Sequence, residues 1–475
     1  MVYFFLMKFL LSSRRAQRYR STPAEHPMTE GVIWRSLLRF FFPILLGTLF
    51  QQLYNTVDAV IVGRFVGKEA LAAVGGGTAV YLNLLISFFV GLTSGAGIVI
   101  SQFFGAGDDG ETGRSVHTAL TLCFFGGLVM TALGLLATPW VLRVTKTPDD
   151  IMGLSLTYLN IFFVSMVPMF LYNMASSIMR ATGDARRPLF VLIAAVCTNI
   201  ALDLLFVVRF RWGVAGVAWA TVASQAESMV VSLVMLARSE SAVRLRARRL
   251  GVTPHILAKM LRLGLPGGIQ STFYCMSNMI IQTAINSFGT ATIASWAAFG
   301  KIDAVFWTMV STMGVAVTTF SGQNYGARKY GRLRQCMWQA LLMTFAMTAT
   351  CSAVFLCTGQ YVFRLFATEP VVIAGGMQIL RFLAPWWVSY VAIEVLSGII
   401  RGAGDSFIPM IITLFGVCAL RLTWLFAAVP RLNTITAVLA CYPITWCATS
   451  VLFLVYWFSG KWLKMPAETM PPRPQ

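Results

Sequence analysis

Charge is scarce in this chain. Of its 475 residues 57% are hydrophobic and only 12% are charged, against roughly 25% charged in soluble domains, which excludes a water-soluble globular fold. Acids are the rarest, with 18 Asp and Glu against 37 Lys and Arg. The three histidines, His26, His117 and His255, fall at segment ends or in loops without ligand spacing, so a metal-hydrolase reading fails. The nine cysteines are scattered singly through apolar segments with no CxxC pair, and indicate neither a disulfide frame nor a metal site. Also missing are the alternating stretches of about ten residues that mark a membrane β-barrel, and any His, Ser or metal constellation of an embedded enzyme. No enzyme activity and no bound cofactor is expected.

What the chain does have is long apolar runs. They lie near 37–62, 76–103, 117–140, 152–178, 188–208, 213–237, 260–286, 293–320, 336–358, 373–400, 408–429 and 434–458, each long enough to span a bilayer as a helix. The expected fold is an all-α integral membrane protein of twelve transmembrane helices. With both termini cytoplasmic, 26 of the 37 Lys and Arg fall in the termini and even-numbered loops, the usual bias of a multi-pass protein of the cytoplasmic (inner) membrane. The net charge of +19 is explained by that bias, so membrane lipids and not nucleic acid are the expected partners. The first residues, MVYFFLMKFLLSSRRAQ, are too short an apolar run to span. They read either as a weak interfacial helix or as the product of a start upstream of Met28. Trp386 and Trp387, near an outer helix end, suit an interfacial aromatic belt.

The chain repeats itself. Arg180, Gly183, Asp184 and Pro188 recur 221 residues later as Arg401, Gly404, Asp405 and Pro409. Gln102, Gly105 and Ala106 recur at the same offset as Gln323, Gly326 and Ala327, and Leu38, Arg39, Pro43 and Asn55 recur at 223 as Leu261, Arg262, Pro266 and Asn278. Matched stretches in unchanged order imply two pseudo-symmetric six-helix lobes. Six being even, both enter from one side, related by an axis along the membrane normal with a cleft between them. The domains expected are an amino-terminal cytoplasmic segment (1–36), a first lobe (37–237), a basic cytoplasmic linker (238–259), a second lobe (260–458) and a cytoplasmic tail (459–475).

Few acids lie inside the spans: Asp58, Asp203, Glu227 and Glu394, with Asp303 near one end. A carboxylate at that depth costs at least about 2.5–3.5 kcal/mol on insertion scales, so each needs a partner, water or a proton. Tyr54 and Asp58 are four apart on the first helix and Asn199 and Asp203 four apart on the fifth, so each pair projects from one face. Counting about 1.5 Å per residue places Asp58, Asp203 and Thr221 of the sixth helix at comparable depth. Arg and Lys are nearly absent from the span interiors.

With Pro43, the run VDAVIVGRFVGKEALAAVG, and the turns FFGAGD and RATGD with their later copies, the chain resembles the multidrug and toxic compound extrusion (MATE) transporters over about 37–457. The resemblance implies a twelve-helix antiporter that expels organic cations and amphipathic drugs in exchange for protons or sodium. It further implies an ion-coupling site of Tyr54, Asp58, Asn199, Asp203 and Thr221, with Pro43 as a bending point of the first helix. A second family site uses acids on helices seven and ten. Helix seven here has none, which leaves Glu394 as a substrate or ion contact, or as the partner of an arginine such as Arg381. A lipid-linked precursor flippase of similar architecture is the alternative, and no feature sets an oligomeric state.

Overall fold

The computed structural model describes residues 28–145 and 147–463. The run from which the interfacial helix or upstream start was read, and all but the first residues of the expected tail, lie outside the described residues. Among the described residues there is no strand. The first half comprises α1 (Ile33–Ile61), α2 (Lys68–Gly75), α3 (Gly77–Gly105), α4 (Asp109–Val144), α5 (Asp149–Val164), α6 (Met166–Ala181), α7 (Arg186–Asp203) and α8 (Gly213–Ala237). The second comprises α9 (Pro254–Asn286), α10 (Thr290–Gly326), α11 (Tyr330–Phe366), α12 (Pro370–Leu383), α13 (Trp387–Gly402), α14 (Phe407–Thr413), α15 (Leu420–Ala427), α16 (Val429–Leu432), α17 (Ile435–Leu439) and α18 (Cys441–Phe458). Among the described residues ten spans are long and apolar enough to cross a membrane, eleven with the bent pair α5 and α6. The twelfth expected span is α9, 33 residues long but made more polar by Gln270, Ser271, Thr272, Ser277, Asn278, Gln282 and Thr283.

The repeat is legible in the breaks as well as in the helices. α5 and α6 meet at a 47° bend, where the Ser165 hydroxyl donates to the Phe162 carbonyl at 2.6 Å and Pro168 removes a ladder donor. At the corresponding place a 3-10 turn, Ala384–Trp386 with Pro385, separates α12 from α13. The RATGD and RGAGD turns are built alike. Gly183 (φ +88°) and Gly404 (φ +98°) take the left-handed conformation that ends a helix. The N–H groups of Asp184 and Asp405 then close back on Met179 and Ile400. The two aspartates accept from the first N–H groups of the next helix, Arg186 at 3.0 Å and Ile408 at 3.2 Å.

Packing divides the chain into two units: residues up to Ala79 with Leu122–Arg246, and Val80–Thr121 with Ala247–Gln475. Most of α3 and the start of α4 thus belong by sequence to the first repeat and by contact to the second unit. Glycine is the physical reason. Gly91 and Gly95 lie against the backbone of Gly268 and Gly264 on α9, where a Cβ has no room, the close approach that small residues permit between membrane helices. At the end of α3 Gly105 sits on the backbone of Gln323, while Gly326 of α10 sits on the backbone of Gln102. The two copies of one motif meet reciprocally, as related residues do about a twofold axis. Gln102 also donates from Nε2 to the Gly402 carbonyl at 2.9 Å.

Candidate functional site

All five residues expected at the ion site lie in the first unit, on α1, α7 and α8. Four-residue spacing sets Asn199 and Asp203 on one face of α7, and that face is buried: Asn199 is 1% and Asp203 0% exposed. Asp58, on α1, is half-buried and faces Asp203. The two carboxyls approach without forming a well-aligned hydrogen bond, for both oxygens of Asp203 and Oδ1 of Asp58 are buried and unbonded. The Tyr54 hydroxyl and the Thr221 hydroxyl lie 3.3 Å apart, and Thr221 also donates to the Val217 carbonyl at 3.1 Å. The Asn199 amide has no partner on either atom. The structure brings Asp58 to Asp203 and Tyr54 to Thr221, and besides Asp58 Oδ1 it leaves both oxygens of Asp203 and both amide atoms of Asn199 buried without a hydrogen bond, a number that a folded core rarely tolerates without a role.

Two features of this site escape the sequence. Tyr158 of α5, 6% exposed, lies within electrostatic reach of Asp58, Tyr54 and Asp203; a lone tyrosine among apolar neighbours gives no spacing signal. Both acid-bearing helices also pass into π-helix just beyond the acid, Val62–Val66 after Asp58 and Leu204–Arg209 directly after Asp203, a distortion common at functional sites. Pro43 lies inside α1, fifteen residues before Asp58.

Glu394 of α13 belongs to the second unit. Its Oε1 is 3.7 Å from Arg401 Nη2 and its Oε2 accepts from Tyr390 at 3.5 Å. Its arginine partner is thus the repeated motif's own Arg401, seven residues on, and not Arg381. The near-absence of cations from span interiors has one exception of consequence. Arg421 of α15, within the expected span 408–429, is 0% exposed. The signal was there to read, a charge in the middle of an apolar run.

Apolar spanning helices that enclose two opposed acids suit a membrane transporter. The sequence pattern of the MatE family matches residues 43–205 and 266–425, and the chain belongs to that family of multidrug efflux transporters. It is 27% identical over 441 residues to the probable multidrug resistance protein YoeA of Bacillus subtilis (strain 168), covering 91% of this chain and 95% of that one. It is 28% identical over 415 residues to the probable multidrug resistance protein YpnP of the same organism, covering 85% and 90%. Among solved structures it is similar to the outward-facing conformation of a multidrug resistance MATE family transporter, at a TM-score of 0.86 and 22% identity over 94% of this chain and all of the other. A MATE protein in its bent conformation is similar at a TM-score of 0.85 and 21% identity, over 92% and 98%. These likenesses establish the fold.

Proposed function

We propose that the protein is a secondary antiporter of the inner membrane, both termini cytoplasmic, that exports organic cations and amphipathic drugs in exchange for protons or sodium. The observation that carries this reading is the Asp58–Asp203 pair: two facing acids, one wholly enclosed, with three unbonded oxygens. Two carboxylates cannot both stay charged there without a cation between them, because low dielectric strengthens their repulsion. A proton or sodium ion supplies the missing charge, and the π segments beyond each acid give the helices a place to repack. Pro43 removes one backbone hydrogen bond from α1 and makes a hinge at that level. Neutralising the pair favours release of a bound cation, and the ion leaves to the cytoplasm when access alternates.

The driving force depends on the charge of the substrate. One proton entering across 100 mV and one pH unit supplies about 3.7 kcal/mol, nearly three decades of gradient for a neutral substrate, but about 1.4 kcal/mol, or one decade, for a monovalent cation exchanged one for one, because the voltage terms cancel. A lipid-linked precursor flippase is not favoured, since the relatives are named multidrug resistance proteins. Inverted vesicles with an imposed pH or sodium gradient test the proposal, comparing the wild type with Asp203→Asn. Cation movement should follow one gradient in the wild type and neither in the variant. Movement that ignores both gradients, or a variant that transports as well as the wild type, overturns it.

A further inference from the structure

Where α1 begins, the first unit holds a cavity of about 450 Å³. Arg35 and Arg39, one turn apart on α1, and Arg186, the first residue of α7, line it beside Asp184, and Met28, Val32 and Phe40 give it an apolar wall. The three arginines are exposed. Asp184 does not neutralise them: its Oδ1 accepts from the N–H groups of Arg186 and Arg187, and its Oδ2 lies 3.1 Å from Arg187 Nε. Among the described residues no carboxylate pairs with Arg35, Arg39 or Arg186. Three permanent cations therefore border one volume. The fold itself does not call for this triad. At the offsets of the repeat Arg39 recurs as Arg262, but Arg35 and Arg186 correspond to Ala258 and Phe407, although the second turn is capped by its aspartate as the first is.

An apolar stripe continues from the arginines along α1. Arg35, Arg39, Phe42, Leu46, Leu49 and Leu53 are spaced by four, three, four, three and four residues, so they share one face of the helix, and the four apolar members are exposed. At about 1.5 Å per residue the run from Arg39 to Leu53 covers about 21 Å, more than one leaflet of a hydrocarbon core about 30 Å thick. Trp34, exposed and with the Arg35 guanidinium carbon 5.3 Å from its ring, is the residue type that sits at headgroup level. Guanidinium groups at one end and a rail of acyl length below them suit an anion that carries chains. A soluble phosphate would use the arginines and leave the stripe bare, and a zwitterionic headgroup would bring its own cation beside three others. We propose that Arg35, Arg39 and Arg186 form a binding site for the phosphate of an anionic phospholipid, whose chains lie along Phe42, Leu46, Leu49 and Leu53. A lipid seated there ties the start of α1 to the turn before α7, one turn from Pro43. The site goes beyond the antiport reading and does not depend on it.

The full-length protein, stripped of lipid in detergent, is titrated with dioleoyl-phosphatidylglycerol or dioleoyl-phosphatidylcholine, and the lipids retained are counted by native mass spectrometry. The wild type should hold one phosphatidylglycerol about a hundredfold more tightly than phosphatidylcholine, each basic residue near an anionic group contributing about fivefold. Arg35→Gln, Arg39→Gln and Arg186→Gln should each weaken phosphatidylglycerol by about fivefold, and the three together should abolish the preference. Removing the same charge from the exposed linker arginines, as Arg244→Gln, Arg248→Gln and Arg249→Gln together, should leave it intact. Equal retention of the two lipids by the wild type, an unchanged preference in the triple variant, or an equal loss in the linker variant overturns the proposal. Glycerol 1-phosphate, the headgroup without chains, and inorganic phosphate should not displace the lipid; displacement by either overturns the lipid in favour of a soluble phosphate ligand. If the triple variant is not monodisperse, the single variants and the wild-type competition decide. Because no gradient is applied, a negative result here leaves the Asp203 coupling test standing, and the reverse holds too.

Discussion

Asp203→Asn should stabilise the folded protein while abolishing coupling. Asp203 is fully buried and neither of its oxygens is hydrogen-bonded. The amide keeps the side chain's shape, so no cavity forms. An unsatisfied buried polar group costs about 1–3 kcal/mol, and more when charged. Replacing one of the two facing carboxylates removes their repulsion as well, and the introduced amide N–H can donate to Asp58. The expected gain is therefore at least about 1–3 kcal/mol, or a rise in melting midpoint of about 2–4 °C per kcal/mol for a unit of this size. The gain should be greatest in alkaline buffer, where repulsion between the two acids is strongest, and should shrink in acid, where that repulsion is relieved. Thiol-dye or scattering melts of purified protein from acid to alkaline pH measure it. A midpoint that falls by several degrees at alkaline pH would refute the reasoning, because it would mean that Asp203 makes bonds absent from this arrangement.

Three further substitutions probe the fold and the site. Gly105→Ala sets a Cβ on the backbone of Gln323, which cannot swing aside, and should cost about 1–3 kcal/mol or more as overpacking. Gly153→Ala, with nothing within 4 Å of the added atom, should gain up to about 1 kcal/mol from helix propensity; melts of the two variants should move in opposite directions. Tyr54→Phe removes the hydroxyl facing Thr221, but Thr221 keeps its bond to Val217. The melting midpoint should therefore fall by no more than about 1 kcal/mol equivalent, and a larger fall would show a wider network.

The helices and the repeat were legible because both rest on local chemistry. Bilayer-length apolar runs leave the backbone no option but the helix, and a Gly at +88° followed by an Asp that caps the next helix is a turn that a short motif can encode. Which side chains share a face was legible too, since four-residue spacing on α1 and α7 sets Tyr54 with Asp58 and Asn199 with Asp203. Tyr158 was not, because its proximity to the acids depends on how α5 packs. Trp387 shows the same limit. Read along the chain it suits an interfacial belt, yet it is fully buried and stacked on Phe306 at 4.9 Å, whereas its neighbour Trp386 remains exposed.

The order of residues thus determined the class of protein, the number and placement of its spans and the residues that face one another along a single helix, since those follow from periods of 3.6 and from the hydrocarbon thickness. Tertiary packing alone decided which charges have partners. Asp203 of α7 meets Asp58 of α1, and Arg421 of α15 meets Asn278 of α9, because what a buried ion faces depends on atoms a few ångströms away on other helices and not only on its neighbours in the chain.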